Sequence, residues 1–435
     1  MKTSIIFSLF LTLPLSALPK DPSWKETPFF ETAPEPVLTT EEGARGLMLF
    51  SRPITEPIYP ETRPYGFERM ENITAFATPG EFEPILVGVY PIKDIQNLRV
   101  SVSALSGPGG NIHTESFDIR HGRYSDMRYP LYTTKGTYRR VAELLEKGES
   151  FSFPARECQQ WWITVKVPEN AKAGVYRGFV LVSADGVKEI KIPYALCVLS
   201  FNLKKDPAKH YTAYHYDLLM RYKNTIQTLD PSLTNDESLS RLSLNEYKVM
   251  RDFGFDSAPT GYYSYDVKKN IFYFRGTEAF GLMRQAGLLQ NNSMFVVLGN
   301  GIGGLYQKYM KEWIPPHCTV TNMPPQAFFD EVTELTAKAE EERKKNNWPE
   351  FIYNPLDEVD ASAWEFGVKT HMAVKKAGVR IYTTKDPKGF DAGKYADCVD
   401  IWCSQPFSMS YEEVSADKRF KYWSYPNHVS GELKS

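Results

Sequence analysis

A β-sandwich followed by an α/β barrel is the architecture that this 435-residue sequence predicts. Three observations predict it. Up to about residue 205, short runs of alternating apolar and polar residues recur, with turn chemistry between them. Beyond that point the apolar period lengthens to that of helices, and successive helical runs close on glycine before a strand-like run. Two adjacent acids, Asp357-Glu358, then fall just after one of those strands.

The first residues are not fold. Lys2 supplies a positive end, Ile5 to Leu15 an apolar run, and Ser16-Ala17 a small-residue cleavage site. The run is too short to anchor in a bilayer, so residues 1–17 read as a secretory signal peptide and the protein as secreted or periplasmic. A Pro-rich leader follows over 18–40. No later stretch reaches about 18 unbroken apolar residues, so no membrane span is expected. The remaining length, roughly 415 residues, is too much for one ordinary domain.

Composition narrows the partners. Net charge is −2, and no basic block exists to attract nucleic acid or an anionic membrane. Five cysteines, at 158, 197, 318, 398 and 403, fit neither a disulfide framework nor a zinc spacing. The seven histidines show no metal-binding run, so no metal or other cofactor is expected. Aromatic residues make up 14 % of the chain. Such rings fill cores, and they also form the surfaces on which the C–H faces of sugars stack.

Residues 41–205 carry the sandwich. Its strands include Ile85 to Tyr90, Leu98 to Val102, Trp162 to Val167, Gly178 to Val182 and Glu189 to Tyr194. Asp185-Gly186 between the last two is a hairpin signal. One helical run, Val141 to Lys147, is expected to interrupt the strands.

Residues 206–435 carry the barrel. His210 to Tyr214 is the first strand. Ser243-Leu-Asn-Glu246 reads as a capping box opening a helix that Gly254 closes, and a strand-like run to Tyr263 follows. Thr277 caps a second helix ending at Gly287, before the strand Met294 to Leu298. Pro324-Pro325 open a third helix, with acids early and bases late as the macrodipole favours. The strand Phe351 to Asn354 comes next, then a second capping box, Ser362 to Glu365, whose helix ends at Gly378. The strands Val379 to Tyr382, Val399 to Trp402 and Phe420 to Trp423 complete the count at seven. A closed (β/α)8 barrel wants eight, and the chain ends at Ser435 where the eighth would begin, so the barrel is expected to be truncated before its last strand.

Asp357 and Glu358 sit at the carboxyl end of a parallel strand, where barrel enzymes place their chemistry. The competing reading is a solvated acidic loop. Two carboxyls on different strands would suit a protein nucleophile, whereas neighbouring ones more naturally serve one side of a sugar. One then acts as general acid while the other orients a nucleophile belonging to the substrate, such as a 2-acetamido group. Gly299-Asn-Gly-Ile-Gly-Gly304 fits a dinucleotide glycine pattern, but no acid ends a strand about 20 residues on. It reads instead as a flexible loop at the barrel mouth, with Asn300 as a sugar contact. Tyr214, His215 and Asp217 after the first strand, Trp402, and Tyr425 and Asn427 after the last are the remaining substrate-binding candidates.

The stretches Gly80 to Pro84, Trp162 to Pro168 and Ala171 to Gly178 resemble the β-sandwich of glycoside hydrolase family 123 and the related domain of unknown function 4091 group. Leu356-Asp-Glu358, Val399 to Trp402 and Tyr425-Pro-Asn427 are similar to that family's barrel landmarks. The resemblance implies a retaining β-N-acetylgalactosaminidase-type hydrolase. Asp357 would hold the acetamido N–H, and Glu358 would act as acid and then base. A glycosidase acting on a different sugar, or a non-catalytic carbohydrate-binding scaffold, are the alternatives.

Overall fold

The computed structural model describes residues 23–129, 136–206, 208–213, 236–258, 262–266, 269, 271–275, 277–290, 294–298, 300–314, 318–384, 392–395, 397–404 and 421–424. The signal-peptide expectation lies outside them. They form two compact units, the first running to Lys204 and the second starting at Lys205.

The first unit is built from β1 (Lys25–Glu26), β2 (Leu47–Phe50), β3 (Ile73–Ala77), β4 (Phe82–Pro91), β5 (Ile95–Val102), β6 (Leu105–Gly107), β7 (Gly110–Ile112), β8 (Phe117–Arg128), β9 (Thr137–Glu146), β10 (Phe151–Phe153), β11 (Gln159–Lys166), β12 (Gly174–Ala184) and β13 (Val187–Val198). One sheet has the order β1-β9-β8-β11-β4-β2. The other has the order β10-β5-β12-β13-β3, with the β6–β7 hairpin beside β12. Alternation decides which side chains meet. Val87, Val89, Ile163 and Val165 from the first sheet share one core with Val180, Val182, Ile192 and Leu196 from the second. Each such side chain contributes about 1.5–3 kcal/mol on burial. Gly186, at φ +70°, makes the tight turn between β12 and β13. A short helix, α1 (Thr40–Arg45), is opened by a capping box between Thr39 and Glu42.

The expected helix over Val141 to Lys147 is a strand instead. Val141 to Glu146 lie in β9, paired with Ser125 to His121 of β8 across one register shift between Arg123 and Tyr124. Local helix propensity is a weak preference, and a long ladder of backbone hydrogen bonds overrides it.

The second unit holds helices α2 (Asp236–Asp252), α3 (Thr277–Ala286), α4 (Asn300–Met310), α5 (Gln326–Lys345), α6 (Trp364–Lys375) and α7 (Ala392–Tyr395). Its strands are β14 (Tyr262–Asp266), β15 (Ile271–Arg275), β16 (Met294–Leu298), β17 (Glu350–Asn354), β18 (Arg380–Thr383), β19 (Ile401–Ser404) and β20 (Lys421–Ser424). They make one sheet in the order β15-β14-β16-β17-β18-β19-β20. All neighbours are parallel except β14 and β15, which form an antiparallel hairpin.

Where a barrel truncated before its last strand is expected, the described residues form a seven-stranded half-barrel sheet. The β14–β15 hairpin forms one end of this sheet and β20 the other. Of the expected first strand, the described residues 210–213 bring Thr212 into a parallel bridge with Ser257, and the Tyr211 carbonyl accepts the Asp256 N–H at 2.8 Å.

Two helix starts also differ from expectation. Ser243 does not cap α2 but lies buried inside it, because Leu239, Ser243 and Tyr247, four residues apart, form one continuous buried stripe. Ser362 likewise yields to Asp360, whose carboxylate accepts the Ser362 N–H at 2.8 Å and caps a 3-10 turn leading into α6. Pro325 before α5 and Gly287 after α3, at φ +92°, stand where the sequence puts them. The sheet separates its side chains cleanly. Phe295, Val297, Phe351, Tyr353, Ile381 and Trp402 pack with the helices, while Met294, Val296, Ile352, Tyr382, Ile401 and Cys403 cluster on the other face.

Candidate active site

The carboxyl end of β17 is where the sequence candidates concentrate. Phe351, Ile352, Tyr353 and Asn354 are all buried, and so are Pro355 and Leu356 beyond them. The chain then surfaces abruptly: Asp357 is exposed, Glu358 half-buried, and Val359 buried again at 3 % exposure. Glu358 adopts φ +40°, a left-handed conformation that is uncommon for a residue with a side chain and costs about 1–3 kcal/mol. The alternation that would force neighbouring side chains of a strand to opposite faces thus does not apply to this pair.

Specific bonds hold that conformation. The Thr384 hydroxyl, one residue past β18, donates to Asp357 Oδ1 at 3.0 Å and accepts the Glu358 N–H at 3.1 Å. Two further backbone bonds clamp the loop to Cys318. Its N–H donates to the Asp357 carbonyl at 3.4 Å, and its carbonyl accepts the Asp360 N–H at 2.8 Å. Burial pushes the Cys318 thiol above its ordinary pKa, so it serves as packing rather than as a nucleophile.

Asn354 and Thr384 were not among the sequence candidates. Asn354 pairs across the sheet with Leu298 and is 2 % exposed, yet its Oδ1 has no hydrogen-bond partner among the described residues. A buried polar atom left unpaired costs about 1–3 kcal/mol, which marks the position as one to explain. The available signal was an amide ending an otherwise apolar strand. Thr384 had a weaker one, a hydroxyl at the equivalent point after the next strand.

The other candidates fall elsewhere. Trp402 lies in the helix-facing core at 3 % exposure, so its ring packs against protein rather than presenting a face to a ligand. Asn300 opens α4, and the expected flexible glycine loop is in fact that helix. Gly301 and Gly304 are buried in it beside Leu305 and Tyr306. Tyr214, His215, Asp217, Tyr425 and Asn427 lie outside the described residues.

Charge at the opposite end of the sheet is structural. Asp400 accepts from Lys375 Nζ at 2.7 Å and from the Ile381 N–H at 2.8 Å, and Arg380 forms a two-point pair with Glu350 across β17 and β18. Among the described residues no group of His, Cys, Asp and Glu side chains is placed to hold a metal ion. All five cysteines are free thiols.

A β-sandwich ahead of a parallel sheet is the two-part order that the resemblance to glycoside hydrolase family 123 implies. That resemblance is borne out. Residues 86–184 match the family described as the glycoside hydrolase 123 N-terminal domain. The chain also superposes on a family 123 glycoside hydrolase from Clostridium perfringens with a TM-score of 0.60, at 13% identity, covering 84% of this chain and 68% of that one. The two chains share a fold. A family 39 glycoside hydrolase from Bacteroides cellulosilyticus aligns at 12% identity over 77% of this chain and 56% of its own, with a TM-score of 0.29. A Bacteroides ovatus family 5 xyloglucanase aligns at 11% identity over 77% and 70%, with a TM-score of 0.22. Neither carries an argument at those scores. No curated protein matches the chain.

Proposed function

We propose that the protein is an exported glycoside hydrolase that removes a terminal N-acetylhexosamine, N-acetylgalactosamine above all, with retention of configuration and with the substrate's 2-acetamido group as nucleophile. The observation that carries this reading is the pair Asp357-Glu358, placed at the end of a central parallel strand and tied together through one hydroxyl, that of Thr384. The family 123 enzyme it superposes on is described by its hydrolysis of glycolipid glycans, which makes such glycans the first substrates to try.

In this mechanism Glu358 protonates the glycosidic oxygen as the bond to the leaving group breaks. The acetamido carbonyl oxygen attacks the anomeric carbon and closes an oxazolinium ring. Asp357 accepts the acetamido N–H and balances the positive charge that develops. Water then attacks the anomeric carbon, Glu358 takes its proton, and the ring reopens to the acetamide. Two inversions give net retention. Neighbouring carboxylates suit this scheme because both act near the same edge of the sugar. A protein nucleophile would need its partner about 5–5.5 Å away and usually on another strand. Tyr214, His215, Asp217, Asn300, Tyr425 and Asn427 are retained as proposed sugar contacts.

The test is release of aglycone from aryl N-acetyl-β-galactosaminide and N-acetyl-β-glucosaminide. Wild type should turn over at least one of them, Glu358→Gln should lose at least two orders of magnitude in kcat, and a thiazoline analogue of the intermediate should compete. Equal rates for wild type and Glu358→Gln would sink the reading. Turnover that ignores the thiazoline would move it to a different sugar.

A further inference from the structure

The first unit has a groove of about 290 Å³ on the outer face of its six-stranded sheet, remote in sequence from Asp357-Glu358. Gln160 and Trp162 of β11 line it beside Leu86 of β4. The segment Ile54–Tyr59 lines it too, along with Arg128 and Glu143 from β8 and β9. That segment is fixed to the sheet, because the Tyr124 hydroxyl donates to the Ile58 carbonyl at 2.9 Å. A volume near 300 Å³ is at the small end of ligand sites and suits a single ring.

Gln160 is the informative residue. It is only 5 % exposed, and no hydrogen bond from another described residue reaches its amide. Its neighbour Gln159, on the opposite face of the strand, shows the usual arrangement: Oε1 meets His121 Nε2 at 2.9 Å, and Nε2 donates to the Glu157 carbonyl at 3.3 Å. A primary amide that lines a groove on an otherwise buried side chain presents a donor and an acceptor in one plane. Glycine creates the space: a Cβ at Gly122 would come within 2.6 Å of Gln160 Cγ. Two residues along β11, and therefore on the same face, the half-buried indole of Trp162 adds an apolar surface.

We propose that this groove is a second carbohydrate site that takes one neutral pyranoside unit. The Gln160 amide pairs with adjacent hydroxyls, and the Trp162 ring packs on the sugar's C–H face. A sugar needs this combination, since a pyranoside ring offers an apolar C–H face and a rim of hydroxyls that both donate and accept. Glu56, Arg128 and Glu143, all exposed at the rim, put two acids beside one base and so disfavour an anionic ligand. The proposal shares with the hydrolase reading the premise that glycans are the ligands, but not the chemistry at Glu358.

The test is titration of the full chain with methyl glycosides of N-acetylgalactosamine, galactose and glucose, by calorimetry and saturation-transfer NMR. It is run in the Glu358→Gln background so that nothing is hydrolysed. At least one glycoside should bind saturably in the millimolar range at a site that the thiazoline does not block. Gln160→Leu, close in shape, should weaken it about tenfold, and Trp162→Phe should weaken it severalfold while keeping the fold. Neither change should alter turnover of a small aryl glycoside by the otherwise wild-type chain. Unchanged affinity in both variants, or no thiazoline-insensitive binding at all, would overturn the proposal. Loss of catalysis in Glu358→Gln alongside Gln160-independent binding would remove the groove and leave the hydrolase reading intact.

Discussion

Thr384→Val asks whether the carboxylate pair works as one unit. The substitution keeps the branched shape and removes one oxygen, which now donates to Asp357 Oδ1 at 3.0 Å and accepts the Glu358 N–H at 3.1 Å. A hydrogen bond to a charged group contributes about 1.5–3 kcal/mol, and the partial exposure here argues for the low end. That alone predicts roughly a tenfold loss in kcat. The second bond adds to it, because it helps hold Glu358 at φ +40°. Relaxation of a backbone that stores about 1–3 kcal/mol would displace the carboxyl, and a misplacement of about 1 Å can cost a hundredfold. The expected outcome is therefore a 10- to 100-fold fall in kcat on an aryl N-acetylhexosaminide, little change in KM, and recovery to within about threefold in Thr384→Ser, which restores the oxygen. Stability should barely move, since the bond lies at the surface. A kcat within twofold of wild type would refute the reasoning. So would a loss that Thr384→Ser fails to repair.

Glu358→Gly should raise the melting temperature by a few degrees while abolishing turnover, because glycine adopts the left-handed conformation without the steric cost; a lowered melting temperature would contradict the strain argument. His371 is wholly buried in α6, with Nδ1 on the Gly367 carbonyl at 2.8 Å, and burial pulls its pKa down to about 4 from the ordinary 6.5. In that window the unfolded chain binds a proton that the folded chain refuses. Stability should then be full above pH 6.5 and fall by up to about 3 kcal/mol as pH drops toward 4. Urea unfolding against pH should show this, with a shallower slope in His371→Leu; parallel slopes would rule the residue out. Asp400→Asn weakens the grip on the Ile381 N–H and on Lys375, and should cost about 1–2 kcal/mol by denaturant unfolding with kcat unchanged.

How much of this was legible in the sequence depends on which force decides each feature. The sandwich was readable because its pattern is local: alternation puts Val87 and Val89 inward on β4 and Val180 and Val182 inward on β12, and Asp185-Gly186 carries its own turn chemistry. Strand β9 was misread because a Val-Ala-Glu-Leu-Leu-Glu run favours helix until a partner strand is present, and that partner lies about 20 residues earlier in β8. The glycine-rich start of α4 was misread for the converse reason: glycine is a poor helix former alone, and tertiary burial of Gly301 and Gly304 reverses the preference. The placement of Asp357-Glu358 at a strand's end was foreseeable from strand, turn and helix in sequence. Its supports, Thr384 and Cys318, were not, because a single hydroxyl and two backbone bonds from distant segments leave no periodic trace.

Two sets of polar residues in the second unit, at opposite ends of the sheet, are held differently. At the amino ends of β18 and β19, Asp400, Lys375, Arg380 and Glu350 are paired at 2.7 Å with good geometry, so the charges there are offset and hold strands in register. At the carboxyl end of β17 the pattern inverts: Glu358 sits in an unfavourable backbone region, and Asn354 Oδ1 is buried without a partner among the described residues. A fold selected only for stability would not concentrate both costs within five residues, since Gly at 358 and an apolar residue at 354 would each remove one. Sheets of this class bind at their carboxyl ends, and strain of this kind gathers where a ligand or transition state recovers the cost. Asn354 is therefore the residue whose replacement separates the two explanations. Asn354→Leu should stabilise the unit in denaturant and impair turnover together, whereas a purely structural asparagine would give loss of stability with kcat preserved.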